Sequence, residues 1–253
     1  MELNRAVIAI TGGAGGLGMA TARRLGQAGA KIALLDLGGD ALAAAEAQLR
    51  EADIETVGYA VDISNEDSVE ATFKKIGTDF GQLNGLLNSA GIIRDGNLVK
   101  YRDGKQVNKM SMATFQAVVN VNLAGTFLCG REAAALMIET GQPGCIINIS
   151  SISAAGNMGQ SNYSAAKAGV EALAVTWAKE LARYKIRAAA IAPGFTDTGM
   201  LQDMKPEALQ KVEKMIPLGR LGMPDEIAKT VEFILCNDYL SGRVIAVDGA
   251  LRI

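Results

Sequence analysis

The chain has 253 residues, 49% hydrophobic and 21% charged, with a net charge of −2 and no run of one sign. That length suits one large domain or two small ones with a substantial core, and the balanced charge predicts neither a nucleic-acid footprint nor a membrane-surface stripe. Histidine is absent, so a Ser-His-Asp hydrolase is excluded and proton transfer must use Tyr, Lys, Asp or Glu.

No uninterrupted apolar run is long enough to span a bilayer, and the N-terminus lacks a basic-then-apolar signal pattern. Cys129, Cys145 and Cys236 are widely spaced and odd in number, without metal-ligand spacing. Reduced thiols, a cytoplasmic protein and no metal are the expectation.

Residues 5–11 (RAVIAIT) form a short apolar run that reads as a buried strand. Gly12-Gly13-Ala14-Gly15-Gly16-Leu17-Gly18 follow at once, then a helix over 19–28 that stops at Gly29. A glycine-rich turn between strand and helix is an anion cradle: N–H groups point outward, the helix dipole is positive there, and missing side chains admit a pyrophosphate. The competing reading is a tight connection with no ligand.

Residues 31–36 (KIALLD) read as the second strand, ended by Asp36, 18 residues after Gly18. A carboxylate about 20 residues past the glycines is placed to hydrogen-bond an adenosine ribose. It would repel a 2′-phosphate, and no Arg or Lys lies at 12–18 or 37–40 to neutralise one, which favours NAD over NADP. A helix N-cap is the alternative role, and Asp40 fits that better. A helix over 41–51, a strand over 55–61 ending in Asp62-Ile63, a helix over 67–80 and a strand over 85–89 continue the alternation. The βαβ rhythm with short links predicts a parallel sheet covered on both faces, with ligands at the carboxyl ends of the strands.

Residues 94–110 break the rhythm. Asp103-Gly104 is a hairpin signal, so a small excursion is expected, either a substrate entrance or a surface decoration. Residues 111–139 read as a helix interrupted by Asn120, Asn122 and Gly125. Residues 145–151 (CIINISS) read as a strand ending in two hydroxyls. Asn162-Tyr163-Ser164-Ala165-Ala166-Lys167 then leads into a helix over 168–181. Positions four apart share a helix face, so Tyr163 and Lys167 point the same way. An ammonium there would lower a phenol pKa that is otherwise about 10, making a proton-transfer pair. A strand over 186–192 ends in Pro193-Gly194. The loop from Thr196 to about Pro206, with Met200, Leu201 and Met204, suits a lid. A helix over 224–236 and a strand over 243–247 complete the chain.

Thr11-Gly12-x-x-x-Gly16-x-Gly18, Asp62, Asn88-Ser89-Ala90-Gly91, Asn122, Ser150-Ser151, Tyr163-x-x-x-Lys167 and Pro193-Gly194 together resemble the short-chain dehydrogenase/reductase family over nearly the whole chain. The resemblance implies one α/β domain over residues 1–253, a Rossmann-type doubly wound parallel sheet with helices on both faces. It implies Tyr163 as acid–base, Lys167 lowering its pKa and binding the nicotinamide ribose, Ser151 holding the carbonyl oxygen, and Asn122 anchoring a water in a proton relay. The cofactor, taken as NAD, would rest on Gly12, Gly16, Leu17 and Gly18, with Asp36 at its ribose and Asp62 at its adenine. Ile63, Asn88 and Ala90 would also line its site, and Pro193, Gly194 and Thr196 would meet the nicotinamide amide.

Three departures stand out. Ser89 replaces the family's second Asn. The serine-to-Tyr163 interval is one residue short: counting back selects Ser150, aligning on the strand selects Ser151. Ser151 is preferred, because a deletion is easier in the 153–159 loop than in a buried strand. The third departure is the 94–110 excursion.

The leading expectation is an NAD(H)-dependent enzyme interconverting a secondary alcohol and a ketone on a small-molecule substrate. A 3-oxoacyl-thioester reductase is the alternative. Asp36 weighs against it, since those reductases mostly resemble NADP users. A non-catalytic dinucleotide-binding sensor or subunit is disfavoured by the intact Ser, Tyr and Lys. The apolar helix around Val170, Leu173, Val175, Trp177 and Leu181, with the family resemblance, leads us to expect a homo-oligomer, tetramer or dimer.

Overall fold

A computed structural model describes residues 1–199 and 206–252. Seven strands form one parallel sheet: β1 (Val7–Thr11), β2 (Lys31–Asp36), β3 (Thr56–Ala60), β4 (Gly85–Asn88), β7 (Gly144–Ile149), β8 (Ile186–Pro193) and β9 (Val244–Val247). Their order is β3-β2-β1-β4-β7-β8-β9. The helices are α1 (Gly16–Gln27), α2 (Asp40–Glu51), α3 (Glu66–Phe80), α4 (Met112–Val119), α5 (Thr126–Glu139), α6 (Ser161–Glu180), α7 (Pro206–Met215) and α8 (Pro224–Cys236). The α/β, doubly wound architecture agrees with the sequence.

Side-chain alternation explains the two helical layers. Ile8, Ile10, Ile32 and Leu34 point to one face, where they meet Leu25, Leu49, Ile227 and Val231 of α1, α2 and α8. Val7, Ala9, Ala33 and Leu35 point to the other and meet Phe73, Ile76, Cys129, Met137 and Trp177 of α3, α5 and α6. A strand buried on both faces reads as a continuous apolar run, and β1, β4 and β7 are buried throughout.

The chain runs outward from β1 through β2 to β3, then crosses back to β4 on the other side of β1. That reversal opens a crevice at the carboxyl ends of β1 and β4. Thr11 sits there, its Oγ1 accepting from the N–H groups of Ser89 (3.1 Å) and Ala90 (3.2 Å).

Two elements depart from the regular pattern. Between α4 and α5 the backbone makes one turn of π-helix, Asn120–Gly125. The combined run Met112–Glu139 has the length and mean hydropathy of a membrane-crossing helix, although Asn120, Asn122, Arg131 and Glu132 interrupt it. In the fold, α5 packs on α3 and β4, and α4 on α6.

The second is the excursion. β5 (Val99–Arg102) and β6 (Lys105–Lys109) form an antiparallel hairpin apart from the main sheet. Asp103 and Gly104 turn it with φ of 52° and 72°, the two left-handed residues of a type I′ turn. Every residue of both strands is exposed.

Candidate active site

The glycine turn is shaped by contact. Gly12 has φ +64°, and a Cβ there would stand 2.8 Å from the Ala90 Cα. A Cβ on Gly18 would overlap the Gly12 carbonyl oxygen. Gly15 caps α1 without a side chain, and no acidic residue occupies the first turn. The N–H groups at this helix end therefore face open space, as an anion site requires. Around them lies a cleft of about 1080 Å³ lined by Gly12, Gly16, Leu17, Gly18, Asp36, Asp62, Ile63 and Ala90. Among the described residues its lining includes two carboxylates and no cation.

Asp36 has two jobs. Its Oδ2 accepts from the Ala14 N–H (2.9 Å) and its Oδ1 from the Leu37 N–H (2.8 Å), so it braces the glycine turn while edging the cleft. Asp40 is the first residue of α2, and Gly39 occupies the cap without a side-chain bond. The cap alternative therefore fits neither aspartate. Asp62 spends Oδ1 on the Ser64 N–H (2.9 Å) and hydroxyl (2.7 Å), which fixes its rotamer at the cleft edge.

A second cleft, about 890 Å³, shares Leu17, Ser89, Gly91 and Thr198 with the first. Tyr163, Lys167, Ser150, Ser151, Pro193, Gly194 and Thr196 line it. Lys167 is buried, and its Nζ donates to the Ile149 carbonyl at 2.6 Å and stands 5.5 Å from the centroid of the Tyr163 ring. Burial lowers its pKa to about 8.

Tyr163 behaves differently from the sequence expectation. Its pKa is raised: burial dominates, the Asp95 charge adds to it, and only the Ser151 hydroxyl opposes. Loss of solvent around the phenol sets the direction of the shift.

The two serines divide cleanly. Ser150 is buried, and its Oγ is within bonding distance of the Lys167 carbonyl (3.1 Å) and the Glu171 carboxylate (2.7 Å), which share its single proton. Ser151 is half-buried beside Tyr163, with its Oγ accepting from the Ser153 N–H (3.1 Å). Successive residues at the strand end face opposite ways: both serines line the cleft, but the Ser150 hydroxyl turns to α6 while that of Ser151 lies beside Tyr163.

Two expected site residues do not line either cleft. Asn122 is fully buried in the π turn, where its Oδ1 accepts from the Ile92 N–H (2.8 Å) and its Nδ2 donates to the Ile92 carbonyl (2.9 Å). Its side chain thereby fixes the backbone after Gly91. Asn88 is also buried, donating to the Asn148 Oδ1 at 3.0 Å, and Asn148 in turn donates to the Val170 carbonyl at 3.2 Å. Its amide N–H ties β4 to β7 and α6, while its Oδ1 is buried with no partner among the described residues. The lid residues Met200, Leu201 and Met204 lie outside the described residues, whereas Thr198 and Gly199 line the clefts.

Sequence reasoning passed over Asp95, Asn157 and Gln160. Gln160 is buried; its Nε2 donates to Asp95 Oδ1 and its Oε1 accepts from Asn157 Nδ2, both at 3.0 Å. A polar residue three positions before Tyr163, between a glycine and a helix start, was the available signal. Ile93, Ile152 and Phe195 supply the apolar walls.

Comparison with known proteins agrees with this geometry. A family model described as enoyl-(acyl carrier protein) reductase matches residues 12–251. The chain is 35% identical to the 3-oxoacyl-[acyl-carrier-protein] reductase FabG of Thermotoga maritima over the full length of both. It is 38% identical to carbonyl reductase family member 4 of Xenopus laevis, covering 98% of each chain. It is 36% identical to the acetoacetyl-CoA reductase of Synechocystis, covering 99% of this chain and 98% of that one. The cradle, the Tyr163–Lys167 pair and these full-length likenesses make the chain an oxidoreductase acting on CH–OH groups with a nicotinamide dinucleotide, and it belongs to the short-chain dehydrogenase/reductase family.

Proposed function

We propose that the protein reduces the ketone of a 3-oxoacyl thioester to the secondary alcohol, using NADH. The observation that carries this reading is a half-buried Tyr163 beside the Ser151 hydroxyl and one turn from the buried Lys167, in an apolar cleft continuous with the glycine cradle. A nicotinamide bound there supplies the hydride. Ser151 and the Tyr163 hydroxyl both donate to the substrate carbonyl oxygen, and Tyr163 gives its proton as negative charge develops on that oxygen. The raised phenol pKa keeps that proton in place at neutral pH. Lys167, positive below about pH 8, attracts the phenolate left behind.

Thioester substrates are favoured over plain ketones by the names of the relatives from Thermotoga and Synechocystis. This reverses the ranking drawn from sequence alone, which placed a generic alcohol–ketone conversion first. NADH is favoured by Asp36 and by the lack of a cation among the described residues of the first cleft, since a 2′-phosphate would meet the Asp36 carboxylate there.

The test is a matrix of initial rates with acetoacetyl thioesters and unconjugated ketones, each with NADH and NADPH. Thioesters with NADH are expected to give the highest kcat/KM. Equal turnover of plain ketones, or a preference for NADPH, would overturn the corresponding half of the reading. Tyr163→Phe should lower kcat by about 100- to 10,000-fold with the fold intact; retention of more than about a tenth of the rate removes Tyr163 from the chemistry.

A further inference from the structure

The β5–β6 hairpin is exposed along its whole length. An isolated two-stranded hairpin is marginally stable in water, so its persistence as an ordered arm calls for a role. Its feet are anchored to the wall of the catalytic cleft. Gly96 bridges to Gln160, and its N–H donates to the Gly159 carbonyl at 2.8 Å. Asn162, next to Tyr163, donates to the Arg94 carbonyl at 2.9 Å. Gln160 lines the cleft, as does Ile93.

The arm's charge is lopsided. Between Val99 and Lys109 it carries Lys100, Arg102, Lys105 and Lys109 against Asp103 alone, in a chain whose net charge is −2. Register sorts these charges, with a shift between Lys100 and Tyr101 taken up by an extra residue, Val107, on β6, so that β5 itself keeps its alternation. Lys100 pairs with Asn108 and Arg102 with Lys105, while Val99 pairs with Lys109 and Tyr101 with Gln106. Cross-strand partners share a face and neighbours along a strand alternate. Lys100, Arg102 and Lys105 therefore stand together on one face, and Val99 and Tyr101 on the other. None of the three cations forms an ion pair with a described carboxylate.

We propose that this cationic face binds the phosphate groups of a coenzyme A thioester while its acyl end lies at Tyr163. The inference rests on the thioester reading above and names the carrier. Three cations within two residue pairs make a patch only about 7 Å long. That suits the compact, multiply charged phosphates of a nucleotide better than the dispersed carboxylates of a protein surface. Arginine adds bidentate geometry toward phosphate. The distance is also appropriate: five residues of strand extend about 17 Å from foot to tip, and the pantetheine chain holds the thioester far from its phosphates. A phosphate site for such a substrate must lie outside the cleft, where the arm is.

The test compares acetoacetyl-CoA with the acetoacetyl thioester of N-acetylcysteamine, which carries the same reacting group and no phosphate, in the wild type and in a Lys100→Ala/Arg102→Ala/Lys105→Ala triple variant. All three side chains are exposed, so folding is expected to survive. KM for acetoacetyl-CoA should rise about tenfold or more, as loss of charge-assisted bonds implies, with kcat unchanged and the truncated thioester unaffected. Raising salt should weaken wild-type binding of acetoacetyl-CoA and not of the truncated substrate. Equal losses on both thioesters would make the arm a structural prop and overturn the proposal. So would an unchanged KM for acetoacetyl-CoA, or an effect seen only with an acyl carrier protein thioester, which would assign the face to a protein partner. If the wild type turns over neither thioester, the thioester reading itself falls and takes this proposal with it; turnover of the truncated thioester alone overturns only the carrier.

Discussion

Lys167 is an ammonium largely withdrawn from water at the cleft wall, held by one backbone carbonyl. Its pKa near 8 has a consequence for stability that can be worked out by sign. In the unfolded chain a lysine keeps its proton to about pH 10.4; in the folded chain it gives the proton up near 8. Between those values the unfolded state binds more protons, so stability rises with pH. The cost of burying the charge is fully present below pH 8 and gone above about 10.4, a difference of roughly 3 kcal/mol. Without cofactor, the unfolding free energy of the wild type should therefore climb relative to Lys167→Met between pH 7 and 10. Parallel curves in urea titrations would show that Lys167 is not desolvated. The residue pair was legible in the sequence because helical spacing alone puts Tyr163 and Lys167 on one face. The direction of the phenol shift was not, because it depends on burial, which spacing does not reveal.

At the level of elements, the π turn carries the most information. Asn122 closes on Ile92 with both amide atoms, and a Cβ on Gly125 would stand 2.9 Å from Ile63 side-chain carbons. The extra residue in the turn thus brings the helix against two segments that line the dinucleotide cleft. Asn122→Ala should cost about 2 kcal/mol by unpairing the Ile92 backbone and should weaken cofactor binding; calorimetry showing neither would detach the turn from the site. The sequence disclosed an interruption through Asn120, Asn122 and Gly125, but i→i+5 bonding leaves no periodic trace, so the side chain's partner stayed hidden. Helix α6 teaches the converse. Val170, Ala174 and Trp177 are buried within the protomer, so the apolar character that suggested a partner is mostly satisfied at home. What remains outward is a stripe of small residues, Ala165, Ala168, Ala172 and Thr176, a surface on which another helix can pack closely. We still expect a dimer or tetramer, and a light-scattering mass near the 26.4 kDa of one chain would refute it.

Across the whole molecule, the parallel sheet was readable because strands buried on both faces are written as unbroken apolar runs such as VIAIT and ALLD. Glycine spacing and strand-end polar residues located the cleft for the same reason: they must lie at carboxyl ends. Strand order was not written in any one segment, and it decides which strand ends are neighbours. Asn88 illustrates this. It ends β4 as expected, yet pairing with β7 sets it opposite Asn148, and that neighbour takes its amide N–H.

The feet of the hairpin meet, with the Met110 N–H donating to the Leu98 carbonyl at 3.1 Å. The segment between them is therefore a plug-in module: the chain leaves the fold and re-enters it at almost the same point. Grafting is permitted at such a place, since foreign sequence there need not stretch the scaffold. A peptide or fluorescent reporter spliced between Asp103 and Gly104 should leave the far-ultraviolet spectrum of the scaffold and its cofactor affinity unchanged, and loss of either would show that the arm is woven into the fold. If the graft holds, one scaffold can be refitted for different substrate handles by exchanging a single hairpin, with the hydride chemistry left as it stands.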